Sequence, residues 1–255
     1  MPKRISFQLY SARNFVEKEG GWEPILAHLS ASGYTEVEGF GGVYAEPEKF
    51  RDLLDKHNLT MPTGHFFPVD QFEKEPKKVL HIAKTLGLRY IYCPFIAPDN
   101  RPKSAAGWKA WGKRLGEVGK AMNDAGYGFG WHNHDFEFKK LPDGSMPHDR
   151  IFEGGPLLDW ECDIAWVAFA GQNPVKWIKA YGHQISAIHI KDNAPKGQNL
   201  DQHGQADVGK GVLKWDDIFK AVRGNTRCVN YIVEHDNPKD YKSFAANSYK
   251  FLSKI

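Results

Sequence analysis

The residues able to do chemistry cluster at the ends of short apolar runs, mostly in the second half of the chain. Glu38, His65, His132, His134, Glu161, Asp163, His189, Lys191 and Glu234 all sit there, each after a stretch rich in β-branched or aromatic residues. Within a strand, residues two apart point to the same side, so His132 pairs with His134, Glu161 with Asp163, and His189 with Lys191. An inward carboxylate is costly unless it is paired, hydrogen-bonded or metal-bound. Asp163, His189 and Glu234, if they converge, make a site of oxygen and nitrogen donors suited to Mn²⁺, Mg²⁺, Co²⁺ or Zn²⁺.

The elements that must position these groups follow from periodicity. Strand-like runs at 5–10, 35–38, 61–65, 90–94, 128–134, 157–163, 185–191 and 231–234 alternate with segments of helical spacing at 21–32, 46–57, 74–86, 105–125, 174–181, 215–223 and 239–255. That alternation predicts an α/β fold, and eight strands close a (β/α)8 TIM barrel spanning 1–255 as a single domain. Glycines 33, 87, 126, 182 and 224 lie at the ends of helical segments, where left-handed caps are expected. The interval 141–156 is rich in proline and glycine, so the helix between strands 5 and 6 is expected to be shortened or missing. Residues 193–210 form a long polar loop carrying His203, of the length used for lids and substrate clamps. Active sites in such barrels form at the C-terminal ends of the strands, where the polar residues fall.

Composition narrows the classes of function. The chain has 255 residues, 41% hydrophobic and 25% charged, with a formal net charge of +3. Disorder is excluded, and no apolar run approaches the roughly 20 residues that a membrane helix needs. A charge of +3 is a weak footprint for nucleic acid. Three scattered cysteines read as buried hydrophobes in a reducing compartment, and the absence of an apolar leader after Met1 points to the cytoplasm.

The runs 132–138 (HNHDFEF), 158–166 (LDWECDIAW), 170–174 (AGQNP), 189–192 (HIKD), 208–215 (VGKGVLKW) and 233–236 (VEHD) resemble the sugar phosphate isomerase/epimerase family, within the xylose isomerase-like barrel superfamily. The likeness follows the whole chain in order. It implies one divalent cation, such as manganese, held by four side chains from the last four strands, with Asp163, His189 and Glu234 on motif positions. The glutamate that many relatives carry inside strand 5 is replaced here by Gly130 or Trp131. Glu137, just past the strand, becomes the fourth ligand, with His134 as its competitor.

The implied chemistry is carbohydrate metabolism by proton abstraction next to a carbonyl, through an enediolate. Glu234 is the candidate base and Glu137 or Glu161 its counterpart across the sugar. His65, His132 and Lys191 are expected to hydrogen-bond hydroxyls and the developing oxyanion, joined by Glu38 and His134. Trp166 and Phe66 offer apolar faces, and His203 caps the cavity. The alternative outcome is elimination, which makes the protein a lyase or dehydratase of a keto-sugar, 3-keto-glycoside or keto-inositol. A base-repair endonuclease on this fold needs several zinc ions and a basic rim, which the sequence lacks. A non-enzymatic sugar-binding role stays open. The expected partner is a small-molecule sugar, with no nucleic acid or membrane, and homo-oligomer formation is left open.

Overall fold

A computed structural model describes residues 4–255. Strands β1 (Ser6–Gln8), β2 (Glu36–Gly39), β3 (Thr60–His65), β4 (Tyr90–Cys93), β5 (Gly128–His132), β6 (Asp159–Asp163) and β7 (Ile185–Ile190) pair in parallel sequence, one beside the next. A two-stranded antiparallel ribbon, β8 (Asp192–Asn193) with β9 (Gln205–Ala206), follows β7. Strand β10 (Asn230–Val233) then pairs with both β7 and β1 and closes the barrel. The strands are buried almost throughout, as parallel strands covered on both faces must be. No helix among the described residues is long and apolar enough to cross a membrane.

The helices are α1 (Trp22–Ala31), α2 (Pro47–Lys56), α3 (Asp70–Lys74), α4 (Pro76–Leu86), α5 (Ala105–Asp124), α6 (Pro147–Gly154), α7 (Ile164–Phe169), α8 (Pro174–Tyr181), α9 (Trp215–Asn225) and α10 (Tyr241–Leu252). Proline in the first turn starts four of them, α2, α4, α6 and α8, where its missing N–H is not needed. Side-chain caps start others: the Asp240 carboxylate accepts from the backbone N–H of Lys242 at 3.0 Å and of Ser243 at 3.3 Å. Gly87 and Gly126 have the expected left-handed conformation. Gly182 does not, at φ −54, because a 3-10 turn continues from it, and Gly224 lies inside α9, which runs on to Asn225.

The interval between β5 and β6 does hold a helix, the eight-residue α6. A glycine on each helix, Gly112 on α5 and Gly154 on α6, is the reason the two pack so closely. A Cβ on Gly112 would come within 2.0 Å of the Ile151 carbonyl oxygen, and one on Gly154 within 2.0 Å of that of Lys109. The two backbones touch where no side chain fits. The segment expected as one long loop is likewise organised, by the ribbon and a 3-10 turn at Leu200–Gln202.

His148 on α6 is fully buried among Phe138, Phe152, Trp160, Trp177 and Tyr181, with ring centroids 4.3–5.1 Å from its own. Neither ring nitrogen has a hydrogen-bond partner, and burial pushes its pKa down to about 3. The unfolded chain takes up this proton near the ordinary value of 6.5, so His148 removes stability as pH falls from about 6.5 toward 3. Between pH 7 and 5 the loss is about 2 kcal/mol. His148→Leu is expected to be less acid-sensitive than the parent by that amount, measured as urea midpoints at the two pH values; equal acid sensitivity would contradict this account.

Candidate metal and sugar site

A cavity of about 530 Å³ opens at the C-terminal end of the barrel. Its ionisable lining is Arg13, His65, His132, His134, His203, Glu234 and Asp236, with the Tyr10 phenol. Below it the interior carries two tiers of ionisable groups, and the imidazoles of His132 and His189 stand between the tiers. His189 Nδ1 lies 2.8 Å from Glu234 Oε2 and 4.0 Å from Asp163 Oδ2, whereas its Nε2 lies 2.7 Å from Glu38 Oε1 and 3.4 Å from Glu161 Oε2. His132 does the same, with Nδ1 at 3.1 Å from Glu161 Oε2 and Nε2 at 3.9 Å from Asp163 Oδ2.

In the upper tier, His132, Asp163, His189 and Glu234 offer one ligand atom each, all within 4.8 Å of one another. These come from the ends of β5, β6, β7 and β10. Asp163 Oδ1 is engaged by the backbone N–H of Trp166 at 3.0 Å, capping α7, while its buried Oδ2 turns to the interior. Two imidazoles and two carboxylates of this kind fit a divalent cation of borderline character. Lys191 borders the same carboxylates. Its Nζ is 3.0 Å from Asp163 Oδ2, 2.7 Å from Glu234 Oε2 and 3.1 Å from Asp236 Oδ1. Burial alone would lower the pKa of this ammonium, but the three carboxylates reverse the effect and raise it well above the ordinary lysine value.

In the lower tier, Glu161 is the hub. Its Oε2 faces the rings of His65, His132 and His189, and its Oε1 is buried without a partner. Burial would raise the Glu161 pKa, but His189, His65 and His132 hold it well below the carboxylate range. Glu38 accepts from Gln8 Nε2 at 2.7 Å and sits beside His189. A second group, His65, His132, Glu161 and His189, also has ligand atoms mutually within 4.8 Å. A carboxylate on the far nitrogen of a ligating imidazole fixes its tautomer and orientation, which is the geometry of Glu161 and Glu38 toward the upper tier.

Several expectations need correction. Glu137 belongs to neither group: its carboxylate accepts from Trp131 Nε1 at 3.0 Å and from the backbone N–H of His134 at 2.9 Å, outside the barrel interior. Burial raises its pKa to about 8, which makes it a poor ligand and a poor base near neutrality. The fourth member of the group with Asp163, His189 and Glu234 is His132. Gly130 has no room for a side chain, since a Cβ there would meet the Asp159 carbonyl oxygen at 2.2 Å, and Trp131 points outward to Trp111. His134 lies within the cavity wall but outside both groups; burial, with Lys191 adding, lowers its pKa to about 4. Glu161, Glu38 and Lys191 are buried beneath the cavity and are not part of its lining. Phe66 is core, stacked 4.5 Å from Tyr44; its neighbour Phe67 faces the cavity.

His65, His132, His134, Trp166, His203 and Glu234 do line the cavity. Asp236 was missed, although it shares a face with Glu234 two residues earlier. It accepts from Lys191 and from Gln205 of β9, so the ribbon is tied to the cavity wall through it. Also missed were Tyr10, Phe40, Phe67 and Phe95, whose common signal is an aromatic residue one or two places past the end of β1 to β4.

The chain is 22% identical to an inosose dehydratase of Clostridium botulinum (strain Alaska E43 / Type E3), over 82% of this chain and 80% of that one. Among solved structures it superposes on a sugar phosphate isomerase/epimerase from Parabacteroides distasonis ATCC 8503 with a TM-score of 0.82, at 22% identity, covering 99% of this chain and 94% of the other. It also superposes on an IolI protein with a bound zinc atom, with a TM-score of 0.74, at 17% identity, covering 98% and 95%. These likenesses show a shared barrel. Residues 26–254 match the family model directly, and on that match the chain belongs to the xylose isomerase-like TIM barrel family.

Proposed function

We propose that this protein is a divalent-metal-dependent sugar isomerase or epimerase that removes a proton next to a carbonyl and returns it through an enediolate. The observation that carries this reading is the convergence of His132, Asp163, His189 and Glu234 beneath the cavity. The zinc atom of the IolI relative supports a cation in such a barrel. When bound, the cation supplies Lewis-acid polarisation of a carbonyl and its neighbouring hydroxyl. Glu234 is the base, since it reaches the cavity and is anionic: burial would raise its pKa, but Lys191 and His189 hold it well below the carboxylate range. The substrate's α-proton passes to this carboxylate and returns from it to the neighbouring carbon or the opposite face. His134, whose buried Nδ1 has no partner, hydrogen-bonds hydroxyls, while His65 and His132 line the cavity with their ring nitrogens engaged by Glu161 and the metal group. Trp166 lies against ring carbons.

The same proton abstraction, followed by loss of a group on the adjacent carbon, gives a lyase or dehydratase, and the cavity's space beyond a single sugar, with the inosose dehydratase relative, favours keeping this second outcome. Incubation of the metal-loaded protein with ketoses and 3-keto-glycosides in D₂O, followed by NMR, separates the two. Deuterium incorporation without loss of a substituent is expected for an isomerase, and release of the substituent would replace that reading with the lyase. Absence of both across the panel would overturn the proton-abstraction chemistry. The substrate partner is a small-molecule sugar, and the three free cysteines fit the reducing cytoplasm.

A further inference from the structure

The cavity has two unlike halves. Apart from His65 at the end of β3, its polar floor comes from β5 to β10, whereas the mouth above β1 to β4 is ringed with aromatic side chains. Tyr10 packs edge-on against Phe40 with centroids 5.4 Å apart, and Phe67 packs edge-on against Phe95 at 5.8 Å. Two of these rings are unusually open, Phe67 at 49% exposure and Tyr10 at 38%. Apolar ring faces left open at a cavity mouth are stabilised when a ligand covers them and removes them from water.

The size of the cavity agrees. A hexose has about twelve heavy atoms; even at the ~30 Å³ that each water occupies in the liquid, it fills roughly 360 Å³. The cavity holds about 530 Å³, which leaves about 170 Å³ on that generous scale, room for roughly the six atoms of a further ring, with larger substituents extending through the mouth. The charge of the lining argues against a phosphate as the extra group. Arg13 is the only Lys or Arg lining the cavity among the described residues. Its Nη1 donates to the carbonyl oxygens of Tyr10 and Asp236, both at 2.7 Å, and its guanidinium lies 3.6 Å from the Tyr10 ring centroid. The acidic neighbours Glu234 and Asp236 would repel an anion.

We propose that the substrate is an uncharged keto-glycoside whose reacting sugar, with the carbonyl on a ring carbon other than the anomeric one, rests on the polar floor and whose second, flat-faced ring stacks on Tyr10, Phe40, Phe67 and Phe95. This rests on the sugar-enzyme reading above and adds the class of substrate. The second ring is an aryl group or another sugar, which present the same flat, C–H-rich face to an aromatic wall.

The test is calorimetric titration of the full-length, Mn²⁺-loaded protein with methyl β-D-glucopyranoside, phenyl β-D-glucopyranoside and cellobiose, with the matching galactose series, and with the 3-keto form of each. For a given sugar, the phenyl or disaccharide ligand is expected to bind at least about tenfold more tightly than the methyl glycoside. Phe67→Ala and Tyr10→Ala should erase most of that ratio and leave methyl-glycoside affinity unchanged, an outcome that a merely structural role for the rings does not produce. A phenyl gain alone assigns the rim to an aryl group, and a disaccharide gain alone to a sugar. Equal affinity of methyl and two-ring ligands, or an unchanged ratio in both variants, would overturn the proposal while the sugar-enzyme reading stands. Binding of no sugar in the panel would overturn both.

Discussion

Asp163→Asn and His189→Ala are each expected to weaken Mn²⁺ or Zn²⁺ binding by at least about a hundredfold, exceeding the 10–100-fold loss usual for outer-shell changes. Asp163→Asn is the cleaner variant. The amide oxygen can still cap α7 at the Trp166 N–H, so shape and helix start are kept while one charge is lost from the donor set. His189→Ala removes a donor and also opens a gap between Glu234 above and Glu38 and Glu161 below, so it should lose stability as well. Glu137→Gln is the control. Its carboxylate is committed to Trp131 and the His134 backbone, so metal affinity should stay within about twofold of the parent, small on the scale of tenfold per 1.4 kcal/mol. Calorimetric titration and metal analysis of the dialysed proteins measure all three. Parent-like metal content in both Asp163→Asn and His189→Ala would show that the metal centre lies elsewhere.

Lys191→Met should lower the stability of the metal-free protein by roughly 3–5 kcal/mol, the cost of leaving buried charges without their partner. For a domain of this size that is a fall of about 10 °C in Tm. The effect is large because one fully buried ammonium serves three carboxylates, Asp163, Glu234 and Asp236. Excess Mn²⁺ should narrow the gap between variant and parent, because a cation held by Asp163 and Glu234 supplies the charge that the ammonium no longer does. Thermal melts with and without Mn²⁺ read this directly. A gap that stays the same in saturating Mn²⁺ would mean that Lys191 and the cation do not share those carboxylates.

Much of the site was legible because strands have a period of two and barrel sites lie at strand ends. Parity alone put Glu161 with Asp163 and His189 with Lys191 on inward faces, and composition at the strand ends marked His65, His132 and Glu234. The rim was less legible. Tyr10, Phe40, Phe67 and Phe95 are separated by some 30 residues each, and an aromatic residue past a strand end reads as core until the loops are folded around it, as Phe66 does beside Phe67.

What the sequence determined by itself is therefore which element and which face each group occupies. What only the tertiary structure decided is the height of each group along the barrel axis. Closure staggers the strands, so that His132 aligns with Glu161, and Asp163 with His189 one step higher. That stagger sets Glu161 beside Glu38 beneath the histidines and Asp163 beside Glu234, which reaches the cavity, a matching between strands that no spacing within one strand encodes. Glu137 shows the same limit at a turn. Three residues past His134, its 3-10 turn brings the carboxylate back against Trp131, because a buried indole N–H and a free backbone amide there both need an acceptor.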